Sequence, residues 1–194
     1  MTKSFLKTIG LLLVVGLLFA ALPTGQVKAS NIPVACLGTD DTALLQGAIT
    51  GATDGDVINV SGTCVLSANV TVSKDVTLDG GGTASIKVSG TGYRITMTTP
   101  GATIQNFTIE KTDTLGGQDI IWINASNVTV ADNVFFGQYV LGADTYSRAM
   151  VISGGNSGLL ITNNEIHHLR QPAYISGVTT GTISNNYVHD TKGW

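Results

Sequence analysis

Apolar and polar positions recur along the second half of this chain as one short pattern repeated five times. The copies are Val-Thr-Leu-Asp-Gly (Val76 to Gly80), Ala-Thr-Ile-Gln-Asn (Ala102 to Asn106), Val-Thr-Val-Ala-Asp (Val128 to Asp132), Leu-Leu-Ile-Thr-Asn (Leu159 to Asn163) and Gly-Thr-Ile-Ser-Asn (Gly181 to Asn185). Their central apolar residues, Leu78, Ile104, Val130, Ile161 and Ile183, are 26, 26, 31 and 22 residues apart. Period-two alternation over a few β-branched residues predicts a short strand. A variable repeat of roughly 20 to 30 residues predicts a solenoid of stacked coils, each covering the last.

In the last four copies a second apolar anchor follows, at Ile109, Phe135, Ile166 and Val188. Between the anchors lie the polar pairs Gln105-Asn106, Asp132-Asn133, Asn163-Asn164 and Asn185-Asn186. Asn and Asp tolerate the left-handed backbone and bond to neighbouring peptides, so these pairs predict sharp bends between strands. Stacked in successive coils, they can also bond to one another along the axis. A β-sandwich with Asn-rich turns is the alternative; the scarcity of Asn-Gly and Asp-Gly hairpin signals weighs against it.

Ahead of the repeats, Thr39 to Ile49 reads as a short amphipathic helix, with Thr39 or Asp40 as its cap and Leu44, Leu45, Ala48 and Ile49 on one face. Asp54-Gly55-Asp56 then leads into the apolar run Val57 to Val60. Such a helix would cover the end of a solenoid, where strand edges are otherwise unpaired.

With these features the chain resembles the right-handed parallel β-helix proteins of the pectate-lyase-like superfamily, in which a short helix caps the first coil and a Gly-Asp turn enters the first strand. The fold class expected is therefore all-β, a right-handed parallel β-helix solenoid of about five coils with an N-terminal capping helix. The resemblance implies polysaccharide as the partner. Many members cleave acidic polysaccharides by β-elimination, with a Lys, Arg or His as base and Ca²⁺ or basic groups neutralising the uronate carboxylate; others hydrolyse glycosidic bonds with paired carboxylates. Ca²⁺ enters on this resemblance only. No catalytic motif of the family matches residue by residue, and a fold shared by many activities carries little functional weight alone.

The first residues read as an export signal. Lys3 and Lys7 precede the apolar run Ile9 to Leu22, and Val27-Lys28-Ala29 supplies small residues before a cut ahead of Ser30. The run falls short of the roughly 20 residues that span a bilayer, so no membrane span is expected after cleavage. The organisation predicted is a signal peptide over 1–29, a cap over 30–55 and coils over 56–194, with a secreted or cell-surface location. The last coil is followed only by Thr191 to Trp194. Because solenoids usually cover both ends, a C-terminal truncation is expected.

Removing Lys3, Lys7 and Lys28 leaves 7 basic against 13 acidic residues, a formal charge of −6. Nucleic acid is then not an expected partner, since phosphate binding needs clustered Lys and Arg. The two cysteines, Cys36 and Cys64, both fall in or near the cap. In an exported chain they read as a disulfide closing a loop of about 28 residues, worth roughly 3 to 4 kcal/mol; two buried thiols are the alternative.

Alternation within strands puts residues flanking an inward anchor on the outside. Glu110, Phe136, His167 and His189 should therefore form one outward column, and Thr108, Val134, Glu165 and Tyr187 the next. All three histidines of the chain are His167, His168 and His189, so Glu165, His167 and His189 are expected within reach of one another, near His168, Arg170, Asp190 and Lys192. A His beside a carboxylate suits proton transfer near neutral pH. His167-His168 is expected to put one ring on each side of the chain, and a solvated polar face is the bland alternative for the whole cluster. No recognised metal-ligand spacing is present, and no metal site is expected.

Two loops, Lys111 to Asp119 and Gly137 to Arg148, are expected to wall a groove beside this face. Tyr139, Asp144, Tyr146 and Arg148 are the candidate substrate-binding residues, because exposed Tyr, Asp and Arg suit sugars and carboxylates. His167, Lys111 or Arg170 is the candidate base, Arg148 or Arg170 the neutralising cation, and Glu165 and His189 complete the candidate catalytic set. The competing expectation is a non-catalytic module that displays loops to a glycan or another surface. A β-helix that assists metalloenzyme maturation is a third.

Overall fold

Short apolar-polar-apolar runs can bury one side only if another strand lies above and below, and stacking coils supplies both. A computed structural model of the protein describes residues 29–114, 119–140 and 147–193. It is mostly β, a parallel solenoid of about six turns with one short helix near its N-terminus. Residues 1–28, 115–118, 141–146 and Trp194 lie outside the described residues. Among the described residues no helix is long and apolar enough to cross a membrane.

Three stacks of strands run along the axis, all paired in parallel. The first holds the start of β2 (Val57–Leu66), then β4 (Thr77–Asp79), β7 (Thr103–Gln105), β10 (Thr129–Ala131), β13 (Leu159–Thr162) and β16 (Gly181–Ser184). The second holds the end of β2, then β5 (Ser85–Val88), β8 (Thr108–Lys111), β11 (Val134–Phe136), β14 (Glu165–His167) and β17 (Tyr187–His189). The third is β3 (Val70–Val72), β6 (Ile95–Met97), β9 (Asp119–Ile123), β12 (Arg148–Ile152) and β15 (Gln171–Ile175). The five sequence copies mark only the turns from β4 onward; β2 and β3 form an earlier turn that lacks the pattern.

The predicted anchors stack in register. Leu78, Ile104, Val130 and Ile161 align with Ile183, and Ile86, Ile109, Phe135 and Ile166 align with Val188. All are buried except the last of each row, Ile183 at 61% and Val188 at 41% exposed, because no described strand lies beyond β16 and β17. Ile183 repeats the anchor pattern in sequence but is not buried with the rest.

The bends follow the sequence chemistry. Asn106, Asp132, Asn163 and Asn185 all take positive φ, from 55° to 61°. The residue after three of these, Asn133, Asn164 and Asn186, turns inward and forms a ladder. Nδ2 of Asn133 donates to Oδ1 of Asn164 at 3.1 Å, and Nδ2 of Asn164 donates to Oδ1 of Asn186 at 2.9 Å. Each amide also bonds backbone of its own turn and the turn before, as Asn164 Nδ2 does to the carbonyls of Thr162 and Val130. Buried polar groups are thus satisfied at a bend where the strand ladder is interrupted.

The N-terminal segment holds a strand ahead of the predicted helix. A ten-residue strand, β1 (Asn31–Asp40), pairs in parallel with β2 and buries Val34 and Cys36. Pro33 is tolerated because β1 is an edge strand, where a missing N–H leaves no ladder bond broken. Helix α1 (Thr42–Gly51) buries Leu45 and Ile49, whereas Leu44 is 43% exposed and does not share their face. The N-cap residue is Asp41, which makes no side-chain cap bond to the helix, so neither Thr39 nor Asp40 holds that position, although the carboxylate of Asp40 accepts the Thr42 N–H at 3.1 Å. Gln46 accepts the N–H of Thr71 and donates to its carbonyl, so a side-chain amide from α1 satisfies the edge of β3 as another strand would. Cys36 and Cys64 form a disulfide between β1 and β2, with Cα atoms 4.9 Å apart.

Candidate functional site

Strand register assembles the candidate site from residues more than twenty positions apart. On the outer face of the second stack, Lys87, Glu110, Phe136, His167 and His189 form one column, and Ser85, Thr108, Val134, Glu165 and Tyr187 the next. Flat rings continue the column: Phe136 and His167 stack at 5.5 Å, and His167 and His189 at 4.9 Å with 16° between planes. Tyr187 stacks on His189 from the neighbouring column at 4.6 Å.

Hydrogen bonds tie the lower end together. His189 bonds the carboxylate of Asp190 through Nδ1 at 2.8 Å and that of Glu165 through Nε2 at 3.0 Å. With both ring nitrogens facing carboxylates, the bonds to Asp190 and then Glu165 raise the pKa of His189 above its ordinary value. The bond to His189 lowers that of Asp190 in return. His167 shifts the other way: its partial burial, then the neighbouring His168 and His189, disfavour the charged ring. Two stacked imidazoles are thus pushed apart in basicity by their surroundings.

His168 does not lie on the opposite side of the chain from His167, as strand alternation predicts. It takes a positive φ of 50° at the bend after β14, and Asp190 takes 47° after β17. This reversal brings the His168 ring edge-on to His167, with their Nδ1 atoms 2.6 Å apart. Nε2 of His167 has no hydrogen-bond partner among the described residues. Tyr139, Val140, His168, Asp190 and Thr191 line a cavity of about 380 Å³ beside the cluster.

The other candidates are placed elsewhere or already engaged. Lys111, a candidate base, is 1% exposed and ion-paired with Asp113; it points inward at the end of β8 and faces no groove. Tyr139 is 5% exposed, a wall of the cavity and not a projecting ring. Arg148 is held by Asp119 at 3.2 Å and Gln171 at 3.2 Å, and its guanidinium lies 5.2 Å from the Tyr174 ring. Arg170 sits beside this second cluster and its charge acts on Asp119. Burial raises the Asp119 pKa, against the opposing pull of Arg148. Asp144 and Tyr146 lie outside the described residues, as does part of each loop expected to wall a groove.

Ca²⁺ does not fit this donor set. Among the described residues the one group of three or more His, Cys, Asp or Glu close enough to share an ion is Glu165, His167 and His189. It offers one carboxylate and two imidazoles where Ca²⁺ takes six to eight oxygens. A larger hollow of about 440 Å³ between β15, β16 and β17 is lined by Ile161, Ile166, Ile183 and Val188 among others, with no carboxylate or basic side chain, and is separate from the cluster.

Sequence reasoning named Glu165, His167 and His189 and placed Asp190 nearby. It missed that Asp190 bonds His189 directly and that His168 joins His167. The signal was the Asp or His following each histidine at a bend position, where both residue types tolerate positive φ. Among known proteins, no family model, no curated protein and no solved structure matches this chain.

Proposed function

We propose that the protein is an exported, carbohydrate-active β-solenoid that cleaves a uronate-containing polysaccharide by β-elimination at the face of β14 and β17. The observation that carries the reading is the unpartnered Nε2 of His167, set in a row of flat rings beside the cavity at His168 and Asp190. The parallel solenoid fold, the export signal in the sequence and the resemblance to pectate-lyase-like proteins support polysaccharide as the substrate.

In this reading Nε2 of His167 takes the proton α to the uronate carboxylate. The electrons of that C–H bond form the new C=C bond, and the glycosidic oxygen leaves with a proton from water. His189, clamped by Glu165 and Asp190, stacks on His167 and holds its ring in place. Lys111, Arg148 and Arg170 take no part.

The test is the rise in ultraviolet absorbance of an unsaturated uronate product when the mature protein is incubated with a panel of uronate polymers. A rise that His167→Ala abolishes and Lys111→Met leaves in place supports the reading; no rise from folded protein on any polymer rejects it. One observation favours a non-catalytic glycan-binding module instead: of the cations a lyase would turn on its substrate, Lys111 is buried and paired, Arg148 is paired with Asp119, and the charge of Arg170 also acts on Asp119. Retention of polymer without any new product or reducing end would establish that module.

A further inference from the structure

The donor set of the same strip has a second consequence, independent of any action on polysaccharide. We propose that Glu165, His167 and His189 form a binding site for a divalent transition-metal ion. Their potential ligand atoms all lie within 4.8 Å of one another, and Oε1 of Glu165 is 3.0 Å from Nε2 of His189. Two ligands with bonds of about 2.0 to 2.2 Å to a shared ion stand at close to this separation.

The arrangement behind the ligands is the second, independent observation. Nδ1 of His189 is fixed by the Asp190 carboxylate at 2.8 Å, and Nδ1 of His167 is engaged by His168 at 2.6 Å. Metal-binding histidines are oriented in this way, with one ring nitrogen held by a carboxylate or another polar group and the other turned to the ion. Register holds the set rigid: His167 and His189 are directly opposed on β14 and β17, and Glu165 lies two residues before His167 on the same outer face. Stacking of the two imidazoles on each other and on Phe136 further limits their motion.

Two imidazoles and one carboxylate select Zn²⁺, Co²⁺, Ni²⁺ or Cu²⁺ over Ca²⁺ and Mg²⁺. Three protein ligands leave a coordination position open to water or to an oxygen of a bound molecule. The ion replaces the proton that otherwise bridges His189 to Glu165. An ion on His167 also takes the nitrogen that the elimination step uses, so the two occupancies exclude each other.

The test is calorimetric titration of untagged, chelator-stripped mature protein with Zn²⁺, together with the visible spectrum of the Co²⁺ form. One Zn²⁺ per chain is expected, and His189→Ala and Glu165→Gln should each weaken binding about 10-fold or more. Glu110→Gln, in the same column but outside the site, should leave it unchanged. Circular dichroism confirms that each variant is folded, and the Co²⁺ ligand-field bands of the unaltered protein report imidazole and carboxylate ligation without any substitution. Absence of saturable binding overturns the proposal, as does binding that both His189→Ala and Glu165→Gln leave intact; either result leaves a proton-shared His189–Glu165 pair only. Failure of the elimination assay does not alter this titration, and failure of the titration does not alter that assay.

Discussion

Phe107 lies against Gly80 so closely that a Cβ on the glycine would come within 2.7 Å of Phe107 Cδ1 and closer still to the Asn106 carbonyl oxygen. Phe107 takes the place in its turn that Asn133 takes in the next, and its N–H donates to Asn133 Oδ1 at 3.0 Å. The phenyl ring thus ends the asparagine ladder on one side, and the glycine makes room for it. Gly80→Ala must displace backbone or ring and should cost about 1 to 3 kcal/mol, measurable as a lowered urea midpoint with an unchanged slope.

Removing a rung of the ladder should cost more in the middle than at the end. Asn164→Ala deletes the donor to Val130 and Thr162 and the acceptor for the N–H of Asn133. At about 1 to 3 kcal/mol for each buried group left unpaired, a loss of about 3 kcal/mol or more is expected. Asn186 is partly exposed in the last turn, so water replaces its partners, and Asn186→Ala should cost about 1 kcal/mol. Equal losses in the two variants would contradict the account of the ladder.

The buried amine offers a test that separates folding from chemistry. Lys111 is enclosed and paired with Asp113, whose other oxygen accepts the Gly90 N–H at 2.6 Å. Asp113→Ala strands a buried cation and should destabilise by about 2 to 4 kcal/mol, while Lys111→Met, apolar and of similar length, should be close to neutral. Paired thermal melts of the two variants decide it.

Reduction should act chiefly on the cap. The Cys36–Cys64 bridge spans 28 residues, and by chain entropy opening it costs about 3 to 4 kcal/mol. A Cys36→Ser, Cys64→Ser double variant is expected to show that loss, with amide exchange quickening in β1 and α1 before β7 to β14. Uniform quickening along the solenoid would show that the cap and the later coils open as one unit.

Acid should loosen the same end. Hydrogen bonds from Ser67 and Thr42 hold Asp40 down from 3.8 to about 2, and those from Thr53 and Ser30 lower Asp56. A carboxylate with a depressed folded pKa contributes stability that is whole above its unfolded value and lost as pH falls through its folded value. The part of the urea midpoint that these two carboxylates supply should therefore be whole above about pH 5 and be lost between about 4 and 2. Asp56→Asn should lower the neutral midpoint and shrink that acid step; a variant that keeps the whole step would locate the acid sensitivity elsewhere.

The histidine cluster shows how far register can be read without coordinates. Once Ile104, Val130 and Ile161 are aligned, counting by twos places His167 over His189 and Glu165 over Tyr187, as the strands do. Counting by twos fails at the first bend, because positive φ at His168 reverses the direction in which its side chain leaves the chain. The same limit explains Lys111: it follows Glu110 and so points inward, but its enclosure depends on Gly137, 26 residues later, lying against its Cβ.

Apolar spacing, β-branched content and the Asn and Asp at each bend determined by themselves that this chain coils into parallel turns and which residues stack, because period and turn chemistry are carried by neighbours a few positions apart. Tertiary structure alone decided which charges are free. Arg148 is taken by Asp119 and Gln171, Lys111 by Asp113, and His189 by Glu165 and Asp190. The longest-range of these partnerships join groups 23 to 29 residues apart in sequence, set side by side only when one turn settles on the next. The worth of each charge depends on that neighbour and on the water the neighbour excludes.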